Sequence, residues 1–317
     1  MNFNALDRLP AQFNPDDYVP DPGLVNAAEV AFALRQPLLI MGEPGTGKTR
    51  FAYKLAHELA KKNNPGGLVF ADKPELFYTK TNAQARDLFY TYDALAQFQQ
   101  ANIRRESGDK TMETADFIEL QALGKAIAMT DPTAVKHEKL RAKLGNTPQS
   151  TVVLIDEIDK APRDFPNDIL NEIENQQFFI RELDNLPVTR NEQQHIFMIM
   201  TSNSEKNLPD AFLRRCVFYH IPFPEPDKLL EIAKTQLGKA NAFTDEFLKM
   251  LIARFGEVRK KAVRKPPATA ELLAWLRILG VQNITDLETA DKQQRLRDNL
   301  SILVKTKEDL DAVRGIF

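Results

Sequence analysis

The sequence predicts an α/β fold, a parallel sheet flanked by helices, followed by an all-helical domain. Three observations predict it: a glycine-rich loop at 42–49 lies between an apolar run and a helical pattern, a second apolar run at 152–155 ends in two carboxylates, and beyond the prolines of 222–226 the apolar spacing is helical throughout. Strands that alternate with helices favour a parallel sheet. We therefore predict a core at 1–223 and a helical lid domain at 224–317.

The composition favours a globular protein of a reducing compartment. The 317 residues carry 42 Lys and Arg against 44 Asp and Glu, which argues against a surface given over to nucleic acid but leaves a local basic patch open. The single cysteine, Cys216, excludes an internal disulfide and a cysteine-based zinc site. The first residues lack the order of a signal peptide, and no apolar run is long enough to cross a bilayer. We expect a soluble, cytoplasmic protein without a membrane segment.

The first elements surround the glycine-rich loop. Residues 1–23 are rich in Pro, Asn and Asp, which predicts an irregular arm, and 24–35 has the pattern of a helix. The apolar run at 37–41 has the length of a buried strand, and 50–62 carries apolar residues at helical spacing up to a stop signal at 64–67. The loop therefore lies between a strand and a helix.

The loop itself reads G-E-P-G-T-G-K-T and matches the Walker A pattern at every fixed position. Its glycines let backbone N–H groups turn toward an anion at a helix N-terminus. The residues expected to bind phosphate are Gly42, Glu43, Pro44, Gly45, Thr46, Gly47, Lys48 and Thr49. Lys48 would reach the β- and γ-phosphates and the Thr49 hydroxyl would ligate Mg2+. The pattern does not distinguish ATP from GTP. The arm at 1–23 would either cover the base of the nucleotide or serve only as a packing segment.

A long segment separates the loop helix from the next motif. A strand is predicted at 75–81, then a helix whose aromatic stripe at 88–98 favours a core position, and then a polar loop at 104–110. About 70 residues lie between the strand and the next motif, which is long for a bare connection and indicates an insertion with a function.

The second motif is an apolar strand, 152–155, followed by Asp156 and Glu157. This is the Walker B pattern, and the carboxyl end of such a strand is where ligands bind in open α/β sheets. Asp156 would hold Mg2+, directly or through water, and Glu157 would activate the attacking water as general base. Alone the pattern is weak, since an apolar strand running into an acidic turn has the same letters; the Walker A loop strengthens it.

The remaining elements of the core follow in order. We predict a helix at 164–175, a hairpin around 178–194 and a strand at 195–203, which would put Asn203 between Mg2+ and the γ-phosphate if this strand is the neighbour of the Walker B strand. A short helix at 208–216 contains Arg214 and Arg215, which either cap the last carbonyls or have a catalytic role.

The lid domain is predicted to hold helices near 227–237, 245–255, 269–279 and 293–304 and a short one from 307. The strongest basic cluster of the chain lies at 259–265. Such a cluster is usually a solvated face, and a contact to nucleic acid or nucleotide is the alternative.

Together these motifs resemble those of AAA+ ATPases: Walker A, Walker B, the Thr-Ser-Asn of sensor 1 at 201–203, and Leu-Arg-Arg-Cys at 213–216, followed by a helical lid. Within that superfamily, D-E-I-D-K-A-P at 156–162 and L-P-D-A-F-L-R-R at 208–215 are similar to MoxR-type sequences. The long segment before Walker B would match the family's helix-2 insert, and the predicted hairpin its pre-sensor-1 insert.

The resemblance implies further roles. Arg215 takes the position of the arginine finger that completes a neighbouring subunit's site, with Arg214 as the alternative, so a homo-oligomeric ring, most often a hexamer, is implied. The lid arginine of sensor 2 would fall near Ala270, where this sequence has none, and Arg264 or Lys265 is left as the substitute.

Three functions stay open from the sequence. The first is an ATP- and Mg2+-dependent ring that remodels a protein client, as MoxR-type proteins are thought to do, often with a von Willebrand factor A partner. The second is a nucleic-acid motor or loader, which the basic cluster motivates. The third is a slowly hydrolysing nucleotide switch, against which the full set of Lys48, Glu157, Asn203 and Arg215 argues.

Overall fold

The computed structural model describes residues 13–62, 67–107, 113–203, 208–238 and 243–316. In chain order the helices and strands are α1 Pro22–Leu34, β1 Leu38–Gly42, α2 Lys48–Lys61, β2 Glu75–Tyr78, β3 Tyr90–Tyr92, α3 Ala94–Ser107, β4 Ile118–Leu120, α4 Ala122–Thr130, α5 Glu138–Arg141, β5 Thr151–Asp156, α6 Phe165–Asn175, β6 Gln177–Ile180, β7 Leu186–Thr189, β8 Ile196–Ser202, α7 Asp210–Leu213, β9 Val217–Ile221, α8 Pro226–Leu237, α9 Asp245–Lys261, α10 Thr269–Val281, α11 Thr289–Asp298, α12 Leu300–Leu303 and α13 Lys307–Val313.

The described chain forms two compact units that do not follow chain order. One contains Gly42–Phe51, Ile221–Phe317 and the described part of Met1–Asp21; the other contains Pro22–Met41 and Ala52–His220. The glycine-rich loop therefore belongs to the same unit as the C-terminal helices. A domain division after residue 223 stays a prediction.

A five-stranded sheet in the order β2-β5-β8-β1-β9 forms the core. The pairs β1 with β8, β2 with β5, and β5 with β8 are parallel. Every residue of β5 and β8 is buried, which explains their continuous apolar sequences, since a central parallel strand is covered on both faces. The four strands predicted from apolar runs are confirmed, and β8 is the neighbour of β5. The fifth strand, β9, was not predicted, because it is only partly shielded from solvent.

The segment between β2 and β5 differs from its prediction. The helix expected from Leu88 onward is wrong in its first half: Tyr90–Tyr92 is β3, paired antiparallel with β4. The helix begins only after Asp93, whose side chain accepts from Ala96 N–H at 2.8 Å. Leu95 and Phe98, expected in the core, are 66% and 65% exposed. The helix α3 also runs through part of the predicted polar loop at 104–110, of which 108–110 lie outside the described residues.

Two antiparallel strand pairs, β3 with β4 and β6 with β7, lie close together in the unit that contains 52–220. The predicted hairpin is confirmed as β6 and β7, and its Phe178 stacks on Phe89, before β3, with ring centroids 5.0 Å apart. Helix α4 lies directly against the same stretch: a Cβ added at Gly124 would lie 2.0 Å from the carbonyl oxygen of Phe89. The first pair, β3 with β4, is therefore packed against both the hairpin and α4.

The C-terminal helices α8 to α13 form their own apolar core, in which Trp275 and Phe255 are fully buried. The predicted helices are confirmed with one difference. The helix expected at 293–304 is two, α11 and α12, separated at Asn299, whose side-chain amide donates to the Arg295 carbonyl at 2.8 Å. Among the described residues, no helix combines the length and the apolar character that crossing a membrane requires.

Candidate functional site

The glycine-rich loop is closely surrounded by its own unit. Gly45 and Gly47 have φ values of +78° and +91°, which side chains rarely adopt. A Cβ at Gly45 would lie 3.0 Å from the Cβ of Ala268, just before α10, and one at Gly47 would lie 3.0 Å from the ring of Tyr18. The described part of the N-terminal arm therefore contacts the loop, and a side chain at either glycine would need a rare backbone conformation and would press on its neighbour.

Lys48 is buried and held by the loop it belongs to. Its ammonium donates to the carbonyls of Gly42 at 2.8 Å and Glu43 at 2.9 Å. The Thr46 hydroxyl donates to the same Glu43 carbonyl at 2.8 Å. Helix α2 begins at Lys48, so Thr49 lies in its first turn. The end of the loop is thus a helix N-terminus, where backbone N–H groups favour an anion.

The side chain of Glu43 is bound by a residue of the basic cluster at 259–265 to which the sequence assigned no partner. Arg259, in the last turn of α9, donates from one nitrogen to both Glu43 carboxylate oxygens, at 2.8 and 2.6 Å. The other candidates of the basic cluster have different partners: the Arg264 side chain pairs with Glu308 at 2.7 Å, and the backbone N–H of Lys265 donates to Asp309 at 3.0 Å.

The other unit brings the Walker B acids and sensor 1 together through one hydroxyl. The Thr201 hydroxyl donates to the Asp156 carboxylate at 2.5 Å and accepts from the Glu157 backbone N–H at 2.9 Å. Since β5 and β8 are parallel neighbours, both chain segments leave the sheet at the same edge. Asp156 is mostly buried, and its hard carboxylate oxygens are of the type that Mg2+ prefers.

Glu157 turns away from its strand in a left-handed conformation, with φ 56° and ψ 50°. Its carboxylate then has two partners: the Asn203 side-chain amide donates to one oxygen at 3.1 Å, and the Lys160 ammonium lies 2.5 Å from the other. Asn203 is itself fixed, because its backbone N–H donates to Asp159 at 3.3 Å. A left-handed non-glycine residue at a site is a strained conformation that its surroundings must hold.

Arg215 lies after α7, on the wall of a cavity of about 370 Å3. Its Nε lies 3.1 Å from a Glu174 carboxylate oxygen, and both side chains are about half exposed. Three more arginines line the cavity: Arg35, Arg190 and Arg214. The cavity therefore carries an excess of positive charge.

Burial and nearby positive charge lower the pKa values of two residues at this cavity, His195 and Arg190. Burial, and then the charges of Arg35 and Arg190, lower the pKa of His195 to about 4. Burial and the charge of Arg35 also lower the pKa of Arg190. His195 is thus held neutral among cations and against the rings of Phe32, Phe70 and Phe197.

The structure thus brings Asp156, Glu157 and Asn203 together within one unit, and the loop residues within the other. The sequence assigned no specific role to three contributors: Thr201, Lys160 and Arg259. Thr201 lies inside the Thr-Ser-Asn motif and could have been found there. Lys160 follows Glu157 by three residues, a spacing at which side chains meet on a helical turn. Arg259 is 216 residues from Glu43, and no sequence pattern links them.

Comparison with known proteins gives one family. The model of the ATPase family associated with various cellular activities (AAA) matches residues 38–224, which include the loop, the Walker B acids, Asn203 and Arg215. A search of curated proteins finds no match. Among solved structures, that of a RuvB variant from Thermotoga maritima is similar over 91% of this chain and 70% of that chain, with a TM-score of 0.43 and 16% sequence identity.

Proposed function

The chain belongs to the ATPase family associated with various cellular activities, and from this premise we propose that it is a MoxR-type ring ATPase that binds ATP with Mg2+ and remodels a protein client. The observation that carries the proposal is the hydrogen-bonded group of Asp156, Glu157, Thr201 and Asn203 at the ends of β5 and β8. A protein that only binds nucleotide has no need of an oriented second carboxylate.

In this proposal the loop binds the triphosphate. Backbone N–H groups of the loop and of the first turn of α2 face the phosphates, and the Lys48 ammonium exchanges its loop carbonyls for phosphate oxygens. Thr49 and Asp156 would hold Mg2+. When bound, this ion would neutralise part of the negative charge of the phosphates. The Thr201 hydroxyl orients Asp156 for this by occupying one side of its carboxylate.

Glu157 is the proposed general base. A carboxylate oxygen has two acceptor positions, so each oxygen of Glu157 keeps one after its bond to Asn203 or Lys160. A free position accepts the hydrogen of the attacking water and takes its proton during attack on the γ-phosphate. Asn203 fixes the direction in which the carboxylate points, and Arg215 supplies positive charge to the site of a neighbouring subunit.

Support for a protein client is indirect and comes from the inserted segments. The β3–β4 segment and the β6–β7 hairpin extend the core with elements the nucleotide does not need, and their side chains Phe98 and Phe179 are exposed. Such segments suit client contact in a ring, and a von Willebrand factor A protein is the proposed partner class. The basic cluster gives no comparable support to the nucleic-acid alternative, because Arg259 and Arg264 are both in ion pairs.

The test is phosphate release from ATP and from GTP over a range of protein concentrations, for wild type, Glu157→Gln and the matched control Glu119→Gln, which changes an exposed glutamate on β4. We expect release that prefers ATP, rises per subunit with concentration, and falls at least about 100-fold in Glu157→Gln with ATP binding retained. The Glu119→Gln variant should behave as wild type.

Each alternative has its own result in the same assay. If the wild type binds nucleotide but releases almost no phosphate at any protein concentration, the result favours a nucleotide switch over a motor. Release that is low until DNA or RNA is added, with a steep salt dependence, would favour the nucleic-acid motor. If Glu157→Gln releases phosphate as fast as the wild type, Glu157 is not the general base.

A further inference from the structure

The guanidinium of Arg259 is fixed on three sides within the unit that contains the phosphate loop. It lies over the Phe223 ring at 3.7 Å from the centroid, donates to the Pro267 carbonyl at 2.7 Å, and donates to both carboxylate oxygens of Glu43. The side chain is 18% exposed. A cation already held by an aromatic face and a carbonyl loses little freedom when it binds a carboxylate, so this ion pair differs from an ordinary mobile surface pair.

Glu43 connects this cation to the residue that binds phosphate. It is the second residue of the Walker A loop, and its backbone carbonyl accepts from the Lys48 ammonium and the Thr46 hydroxyl. The carboxylate and the carbonyl belong to one residue, so a carboxylate held by a fixed guanidinium limits the positions open to the Glu43 backbone. Glu43 thus contacts Arg259 through its side chain and Lys48 through its carbonyl.

The start of α10 meets the loop without a cation. A Cβ at Gly45 would lie 3.3 Å from the Ala270 Cβ and 3.6 Å from a carboxylate oxygen of Glu271, so this helix end brings a methyl group and a negative charge. Arg264 is 68% exposed and paired with Glu308 on α13. Arg259, on α9, is a lid cation that pairs directly with a side chain of the loop.

We infer that Arg259 is a positioning residue for the nucleotide: by holding Glu43 it sets the loop geometry in which Lys48 meets the phosphates. The inference rests on the proposed ATPase function and adds to it the lid residue that couples the helical unit to the loop. Because Arg259 acts through the loop's ground-state geometry, its loss is expected to weaken ATP binding more than it slows the chemical step.

The test is a double-mutant cycle on the full-length chain with Arg259→Met, Glu43→Gln and both together. The matched control is Arg254→Met, which changes an arginine of the same helix that is paired with Glu257. ATP affinity is measured by calorimetry, and steady-state hydrolysis gives KM and kcat. We expect each single variant to raise Kd and KM for ATP about tenfold, with kcat changed less than about twofold, as for loss of one charge-assisted contact. The double variant should be no worse than either single one, and Arg254→Met should match the wild type.

The outcomes separate this inference from the proposed function. If the wild type binds ATP and Arg259→Met has an unchanged Kd and KM, the inference is wrong and the proposed function stands. The same holds if the effects of the two single variants simply add in the double variant. A merely structural role would lower the melting temperature and leave the KM of the folded fraction unchanged, which also overturns it. A wild type that binds no ATP overturns the proposed function.

Discussion

At the scale of single residues, the hydroxyl of Thr201 has more influence than its size suggests. It bonds to the Asp156 carboxylate and to the Glu157 backbone, so one side chain fixes two neighbouring acids with different proposed roles. A buried strand thereby holds the Asp156 carboxylate and the Glu157 backbone, and Asn203, one residue beyond that strand, directs the Glu157 carboxylate. Sites built on sheet strands hold their geometry more closely than sites on loops.

His195 gives a pH prediction at the same scale. Its pKa is lowered from an ordinary 6.5 to about 4, by burial first and then by Arg35 and Arg190. Between those pH values the unfolded chain binds a proton on this ring and the folded chain does not, so stability falls as the pH falls from about 6.5 to about 4. The loss from this one group is on the order of 2 kcal/mol.

The variant His195→Phe removes this titration and keeps a ring among Phe32, Phe70 and Phe197. Urea unfolding at a series of pH values should show a smaller loss of stability for the variant than for the wild type on acidification. His220→Phe, which changes an exposed histidine, is the control and should keep the wild-type profile. Parallel profiles for wild type and His195→Phe would contradict the account.

At the scale of elements, the close packing of α4 on the chain before β3 depends on one glycine. A Cβ at Gly124 would lie 2.0 Å from the Phe89 carbonyl oxygen, which is held by the Gln121 backbone N–H at 2.8 Å. We expect Gly124→Ala to destabilise its unit by at least about 2 kcal/mol, because the helix must move off the strand pair.

The matched control is Gly256→Ala, another glycine inside a helix, with no atom within 4 Å of the added Cβ. Here the change should stabilise by about 0.5–1 kcal/mol, from helix propensity alone. Thermal unfolding followed by circular dichroism compares the two variants. Equal shifts for both would mean that the contact with Phe89 does not limit the packing of α4.

The elements also show what the sequence could and could not predict. The central strands, the loop helix and the hairpin were predictable because each is long or bears a local motif. The strand β3 was not, because Leu88, Tyr92 and Leu95 have helical spacing, although a three-residue pairing with β4 decides the structure there. The strand β9 was missed because only part of it is shielded from solvent.

The candidate site divides in the same way. Lys48, Asp156, Glu157 and Asn203 follow from motifs that are contiguous in the sequence. One contact in the loop does not: Arg259 reaches Glu43 from a helix 216 residues away, and its sequence context predicted a basic surface, with a contact to nucleic acid or nucleotide as the alternative. A contact made through the folded chain leaves no pattern in a single sequence.

At the scale of the whole molecule, the proposed ring predicts that one subunit's Arg215 serves another subunit's Glu157. Arg215→Ala and Glu157→Gln should each be nearly inactive alone, whereas an equimolar mixture should recover hydrolysis at about a quarter of the sites, since half carry Glu157 and half of those face an intact Arg215. Phosphate release from the mixture measures this.

Two controls accompany the mixing experiment. Arg215→Ala mixed with the double variant Arg215→Ala, Glu157→Gln should stay inactive, because neither partner supplies the arginine. Arg214→Ala tested in place of Arg215→Ala shows which of the two neighbouring arginines acts. A mixture with no more activity than its separate components would argue against a site shared between subunits.

The membership of the glycine-rich loop in the unit of C-terminal helices matters for anyone who shortens this chain. A fragment that stops at residue 224 keeps every position of the family match, yet it lacks Arg259, Ala268 and Ala270. Its Glu43 would lose the guanidinium partner, and one side of Gly45 would be open to water. Weak nucleotide binding by such a truncated protein would then reflect the loss of these contacts to the loop. A shortened version of this chain should therefore extend through α9 and α10.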